Sequence, residues 1–263
     1  KLRDSLSRID VSKTICIAYS GGIDSTVLLH ATSKICADSG HCLKAIHINH
    51  QIHADSQQWL QHCEEQCRAY KIEVNTISVD VKQFSQQGIE GAAREARYQA
   101  FENALDSNDV LFTAHHADDQ IETMLLQLFR GAGAHGLAGC AQTRAIGNAL
   151  LVRPLLEISR QDIEHYAQQN QLQWRDDPSN DSLVHDRNYL RHEVMPLLHM
   201  RWQGLRETIG RSSQWQGESS EMLDSLAKLD AAHAVDADNR LSIEKITILD
   251  NARLKNVLRW WIR

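Results

Sequence analysis

Along the first 156 residues the apolar positions switch repeatedly between two periods. TICIAY (14–19) is a nearly unbroken apolar run, the pattern of a strand buried on both faces of a parallel sheet. Residues 25–37 carry a helical pattern. CLKAIHI (42–48) reads as strand, 55–70 as helix, EVNTISV (73–79) as strand and IEGAAREARYQAFENAL (89–105) as a long helix. DVLFTA (109–114) reads as strand, 116–129 as an amphipathic helix, and ALLVRPLL (149–156) holds a last strand. Strands alternating with helices form βαβ units, and right-handed crossovers put helices on both faces of the sheet. The expected fold is α/β, a doubly wound and mainly parallel five-stranded sheet.

Beyond about residue 157 the pattern changes. Residues 159–171 read as helix with Ser159 as N-cap, and DDPSND (176–181) as a polar loop. From Asn188 to about 230 the pattern is helical and bears Trp and Arg. In EKITILDNARLKNVLRWWIR, Leu254, Val257, Leu258 and Trp261 fall on one helical face. The expected division is an α/β domain over 1–200 and a helical linker over 201–263 that opens a further domain, with the chain reading as cut short.

The 263 residues, 42% of them hydrophobic, suffice for one large domain, or one with a smaller helical companion. No apolar run approaches the ~18 residues that cross a bilayer, and KLRDSLSRID lacks the apolar core of a secretory signal. No membrane partner is expected. With no initiator Met, the true terminus is expected upstream. The six cysteines (16, 36, 42, 63, 67, 140) contain no CxxC pair and read as reduced cytosolic thiols, which suits a cytoplasmic protein. The net charge of −6 argues against a generally basic nucleic-acid binder but leaves room for a local basic patch.

The chemistry concentrates at SGGIDS (20–25), where the first strand ends and a helix begins. Gly21 and Gly22 permit positive φ and close backbone approach. The helix start presents free N–H groups and partial positive charge, and Ser20 and Ser25 add hydroxyl donors, so the segment reads as a phosphate cradle. Asp24 would repel phosphate unless a cation lies between, which points to Mg²⁺ bound jointly by Asp24 and the phosphates. There is no Walker lysine and no GxGxxG. The plain alternative is a tight turn before a capped helix.

SGGIDS resembles the SGGxDS loop of the N-type ATP pyrophosphatases, the PP-loop superfamily. The resemblance implies an adenine nucleotide alpha hydrolase-like fold in which Ser20, Gly21, Gly22, Ile23, Asp24 and Ser25 hold the pyrophosphate part of ATP. A substrate oxygen then attacks the α-phosphate to form an adenylate. HINHQIHADSQQW (47–59), GIEGAAREARY (88–98), HHADDQIETMLLQLFRGAGAHGLAG (115–139) and DDPSNDSLVHDRNYLR (176–191) are similar, in this order, to the tRNA(Ile)-lysidine synthase family. That family attaches free L-lysine to position 2 of the wobble cytidine of an isoleucine tRNA. The resemblance spans about 14–200. It implies ATP, Mg²⁺, tRNA(Ile) and L-lysine as ligands, and leaves the oligomeric state open with a homodimer as one option. Members commonly carry further C-terminal domains that engage the tRNA.

On the helix 116–129, Ala117, Ile121, Met124, Leu125 and Leu128 form an apolar stripe, and His115, Asp118 and Glu122 lie on another face with His116 and Asp119 beside them. Acids in a first turn also serve the helix dipole, so capping is the alternative for Asp118. The resemblance implies that His116, Asp119 and Glu122 face the reaction centre. Asp119 and Glu122 then hold the lysine amine, and His116 orients a phosphate or assists proton transfer. Free lysine presents a neutral amine in only about one molecule in two thousand at pH 7, so an acceptor for its proton is needed. The resemblance implies that Arg94 or Arg97 meets ATP phosphate or the tRNA backbone, with Arg94 assigned to catalysis and Arg97 to tRNA, a surface pair of Glu90 with Arg94 being the alternative. Arg130 opens a glycine-rich segment that is either a helix cap with a loop or a closing flap. Arg187, Asn188 and Arg191, with Arg201, Arg206 and Arg211 downstream, read as a basic ledge for tRNA phosphates or as a solvated face. His50 and His53 lack further ligands at metal spacing. Two rivals stay open, a PP-loop tRNA thiolase, disfavoured by the absence of paired cysteines, and a non-catalytic adenine nucleotide-binding module.

Overall fold

Thr14–Ala18 forms the central strand, β1, of a six-stranded sheet with β2 (Cys42–Asn49), β3 (Glu73–Ser78), β4 (Asp109–Phe112), β5 (Thr143–Ile146) and β6 (Ala149–Val152). The order is β3-β2-β1-β4-β6-β5, and every neighbouring pair is parallel except β5 with β6. This computed structural model describes residues 1–50, 56–80, 88–177, 182–236 and 238–263, with backbone alone at 88–90. The helices along this part of the chain are α1 (Leu2–Ser7), α2 (Ile23–Ser39), α3 (Ser56–Ala69), α4 (Gly88–Ala104), α5 (Ala117–Phe129), α6 (Ala134–Leu137), α7 (Arg160–Gln169) and α8 (Asp186–Tyr189). A π-helical turn, Leu190–Val194, joins α8 to α9 (Met195–Arg201).

Strand residues divide between two cores as period-two geometry requires. Ile15, Ile17, Val110 and Phe112 join Val27 and Leu28 of α2, Cys63 and Cys67 of α3, and Ile163 and Ala167 of α7. Their alternates Cys16 and Leu111 join Phe101 of α4 and Leu151. Both faces are therefore covered, and the expected doubly wound sheet is present.

The strand count differs from the five expected. Thr143, Arg144 and Ala145 are exposed at the sheet edge, so β5 carries no apolar run to announce it. It pairs antiparallel with β6 through Gly147-Asn148, where Gly147 takes φ +52°. The last strand expected within 149–156 is present as Ala149–Val152 and ends just before Arg153-Pro154, whose proline has no N–H for a ladder. The N-cap expected at Ser159 is present, its Oγ accepting from the Asp162 N–H at 3.1 Å.

The chain divides into two compact units, residues 1–122 with 141–206 and residues 123–140 with 207–263. In the second, α10 (Leu205–Ala231), α11 (Ile243–Ile246) and α12 (Asn251–Ile262) enclose Ala227, Ala231, Ala234, Ile246 and Val257. Leu254 and Leu258 pack there as expected, but the tryptophan that joins them is Trp260. Trp261 is 37% exposed and donates from Nε1 to the Asn239 carbonyl. The cluster lies on the i+3 side of Val257, not the i+4 side. No helix among the described residues is long and apolar enough to cross a membrane.

Candidate active site

After β1 the chain builds β2 and β3 on one side, then returns to place β4 on the other. At such a reversal the crossovers diverge and leave a crevice outside the carboxyl ends of the two central strands. Ser20–Ser25 follows β1 and the segment from Thr113 to Asp119 follows β4, so the two motifs meet there.

The loop is held from below. Gly21 has φ +83°, and a Cβ on it would lie 2.7 Å from Trp59 Nε1 and 2.8 Å from Cys63 Sγ. Trp59 Nε1 donates to the Ser20 carbonyl at 2.5 Å, and the Arg175 N–H donates to the Gly21 carbonyl at 3.0 Å. Ser25 Oγ donates to the Gly22 carbonyl at 3.0 Å and accepts from the Ser20 N–H at 3.2 Å. With these three carbonyls turned to their partners and Gly22 as N-cap, the N–H groups of Ile23, Asp24 and Ser25 at the head of α2 have no intrahelical acceptor. This set of donors suits a polyphosphate. Replacing Gly21 by Ala combines a left-handed backbone with contacts under 3 Å, so we expect a loss of roughly 2–4 kcal/mol. A lowered urea midpoint at unchanged slope checks it, and Gly22→Ala, whose Cβ meets nothing nearer than 3.6 Å, is the control.

Asp24 projects from the first turn of α2. One arginine nitrogen, Arg160 Nη1, donates to both of its oxygens, at 2.7 and 2.8 Å. Burial raises the Asp24 pKa, and His116 and Arg160 oppose that rise. The buried His116 stands between the acids, its Nε2 3.8 Å from Asp24 Oδ1 and 3.5 Å from Asp119 Oδ2. Its Nδ1 has no hydrogen-bond partner among the described residues.

The acids of α5 separate into two groups. Asp118 accepts from the Arg160 N–H at 2.8 Å and from Arg206 Nε at 2.7 Å. It therefore serves the α7 terminus, and the face it was expected to share with Glu122 is split. Asp119 and Glu122 meet the guanidiniums of Arg187 and Arg191. Arg187 Nε donates to Glu122 Oε2 at 2.7 Å and its Nη2 to Asp119 Oδ1 at 2.9 Å. Arg191 Nε donates to Glu122 Oε1 at 2.7 Å and its Nη2 to Oε2 at 3.0 Å. The α8 helix and the π-helical turn place both arginines, four residues apart, on one side. The Glu122 side chain is 1% exposed.

Burial alone would raise the Asp119 pKa, but His116, Arg187 and His115, with the His116 N–H, lower it to about 2. A depressed folded-state pKa contributes stability that is complete above the unfolded value near ~4 and is lost as pH falls through about 2. Acid unfolding should therefore steepen between those values. Asp119→Asn should flatten that limb, as urea midpoints measured from pH 5 down to 2 would register.

Other expected residues fall elsewhere. Arg94 and Arg97 lie on α4 with guanidinium carbons 5.2 and 5.8 Å from the centre of the Tyr98 ring. Asn188 Nδ2 donates to the Ser182 carbonyl at 2.9 Å. Arg130 is exposed and belongs to the second unit. Of the basic ledge, Arg187, Arg191 and Arg206 are in ion pairs, and Arg201 and Arg211 are exposed. His53, residues 178–181 of the polar loop and the Glu90 side chain lie outside the described residues. No cluster of three His, Cys, Asp or Glu able to hold a metal occurs among the described residues. Mg²⁺ often takes one or two carboxylates and completes its shell with phosphate oxygens and water, so Asp24 alone fits it, with Arg160 as the present counter-ion. All six cysteines are free thiols, and burial pushes Cys63 and Cys67 up to about 12.

Sequence reading did not single out Arg160, Trp59 or Cys63. A signal existed for Arg160, a cation at the first position of a helix, where the dipole disfavours it unless an acid is near.

Residues 1–198 match the family model of a PP-loop domain. The chain is similar to proteins named tRNA(Ile)-lysidine synthase. That of Coxiella burnetii is 42% identical over 262 residues, 100% of this chain and 58% of the relative. That of Burkholderia pseudomallei is 44% identical over 264 residues, 98% of this chain and 54% of the relative. The chain thus spans little more than half the length of these relatives. Among solved structures, a U34-tRNA thiolase from Methanococcus maripaludis superposes with a TM-score of 0.65 at 17% identity, covering 81% of this chain and 76% of that one, a likeness of fold alone.

Proposed function

Because this chain belongs to the PP-loop family, we propose that it uses ATP to ligate lysine to C2 of the wobble cytidine of tRNA(Ile), acting in the cytoplasm. The name of the full-length relatives supports this reading. The observation that carries it is the acid pair of the half-buried Asp119 and the buried Glu122 beyond the carboxyl end of β4, across the crevice from the Ser20–Ser25 loop. An adenylating site needs the loop alone; a ligase for an amine also needs carboxylates to receive a cation.

In the first step the cytidine O2 attacks the α-phosphorus of ATP and pyrophosphate leaves. Ser20 to Ser25 hold the departing phosphates through main-chain N–H groups and hydroxyls. Asp24 would hold Mg²⁺, which would supply charge neutralisation there. His116 steadies the phosphate oxygens. In the second step the lysine ε-nitrogen adds at C2, AMP leaves with O2, and the nitrogen gives up a proton to a carboxylate or to water. Asp119 and Glu122 orient that amine. Arg97, Arg187, Asn188 and Arg191 face the tRNA.

Two carboxylates already matched by two guanidiniums leave no net charge for a third cation. RNA phosphates that draw Arg187 and Arg191 away restore it, so lysine should bind better once tRNA is present. The experiment is incubation with ATP, tRNA(Ile) and lysine followed by mass analysis of the RNA. A gain of lysine less water supports the reading. A gain of sulfur, or pyrophosphate release that ignores lysine, sinks it. The thiolase alternative is disfavoured by Cys63, the thiol beneath the loop, which is fully buried and poorly ionised.

A further inference from the structure

Four guanidiniums gather beside the crevice. Those of Arg94, Arg97 and Arg144 lie 5.2, 5.8 and 4.4 Å from the centre of the Tyr98 ring. Leu151 points to the α4 face of the sheet. Its cross-strand partner is Arg144, and Arg153 lies two residues further on, so both are directed to the same face. Arg153 is 3% exposed. Its Nη1 donates to the Ala141 carbonyl at 2.5 Å, but its Nε is buried with no partner. Among the described residues none of these four arginines is in an ion pair with a carboxylate. Like charges brought together repel unless an anion sits among them, and the orphaned Nε is one donor that such an anion would satisfy.

The cluster borders the catalytic centre. Asp119 and the arginines Arg97 and Arg153 all act on the charge of His115. Burial holds the His115 pKa down to about 3, and Arg153, Arg97 and Arg187 act in the same direction. Arg153 follows the carboxyl end of β6, the end of the sheet where the loop lies. Arg144 on β5 is three strands from β1, about 14 Å at ordinary strand spacing. A phosphate held by Ser20–Ser25 does not also reach it.

We propose that Arg97, Arg144 and Arg153, arranged around Tyr98, form a binding site for a phosphodiester of single-stranded RNA next to the reacting nucleoside. The inference rests on the ligase reading for the identity of the RNA. It extends that reading to Arg144 and Arg153, which no motif singled out. Guanidinium forks match phosphate geometry, and the exposed β5 edge gives an RNA strand access.

Arg144 is exposed, so Arg144→Ala should fold. Binding of an anticodon stem-loop RNA, followed by fluorescence anisotropy over a salt series, should weaken roughly tenfold in this variant. The dependence of log Kd on log salt should flatten by about one ion. Arg144→Lys should retain the slope, and ATP affinity should be unchanged. A stem-loop with methylphosphonates flanking the target cytidine should bind both chains alike. Unchanged RNA affinity and slope in Arg144→Ala would overturn the proposal, as would weakened ATP binding with RNA binding intact, or discrimination that survives the methylphosphonates. These readouts need no turnover. Failure of the ligase reading shows separately, as absence of lysine-dependent product from the unaltered chain.

Discussion

Replacing Asp24 by asparagine should cut tRNA-dependent pyrophosphate release from ATP at least about a hundredfold, while the thermal midpoint stays level or rises. The first half follows from charge. On the proposed function Asp24 is the carboxylate that brings a cation to the leaving group, and a neutral amide cannot do so. The second half follows from the direction of its pKa, which burial raises in the folded state. A carboxyl whose folded pKa exceeds its unfolded value is ionised at a cost at neutral pH, so its neutral isostere removes a destabilising charge. Against this, Arg160 loses an acceptor. It keeps Glu164, to which its Nε donates at 2.8 Å, so it is not left alone. Function and stability thus pull in opposite directions at this position, as at many sites built to hold charge. A melt taken beside a pyrophosphate assay decides the matter. A fall of many degrees would make Asp24 a structural ion pair, and undiminished pyrophosphate release would end its assignment as the metal-bearing carboxylate.

The parts of the fold that were legible in the sequence are those fixed by local pattern. TICIAY and DVLFTA sit on central strands, where burial on both faces forces a continuous apolar run. SGGIDS and HHADD announce themselves by breaking such runs with glycine, hydroxyl and acid. β5 was not legible because an edge strand needs no apolar face, and Thr-Arg-Ala gives none. The partners of the acids were not legible either. Glu122 and Asp119 meet Arg187 and Arg191 across 65 to 72 residues of chain, whereas sequence periodicity reports only neighbours three or four apart. The reading put the carboxylates with lysine and the arginines with tRNA; in the folded chain the two sets neutralise one another. The packing of Trp59 and Cys63 under Gly21 is hidden for the same reason, since α3 reaches the loop only through the crossover.

That mutual neutralisation makes Glu122→Gln the more damaging of the two principal substitutions for stability. Glu122 receives three hydrogen bonds from Arg187 and Arg191. Removing the carboxylate leaves two guanidiniums facing Asp119 alone. Breaking a buried ion pair from one side costs about 3–5 kcal/mol, and here the arginines, 24% and 34% exposed, recover part of that from water. A loss of roughly 2–3 kcal/mol is expected as a lowered urea midpoint, together with loss of lysine transfer at saturating ATP and tRNA. Stability and chemistry are separated by adding Arg191→Gln. The double variant removes one charge of each sign, so its loss of stability should fall short of the sum of the two single losses by at least about 1 kcal/mol. Its lysine transfer should stay lost, because the amine still lacks its second carboxylate. Strict additivity of the two stability losses would mean that the pair is not coupled in solution. Lysine transfer restored in the double variant would mean that Glu122 positions an arginine and does not receive the amine.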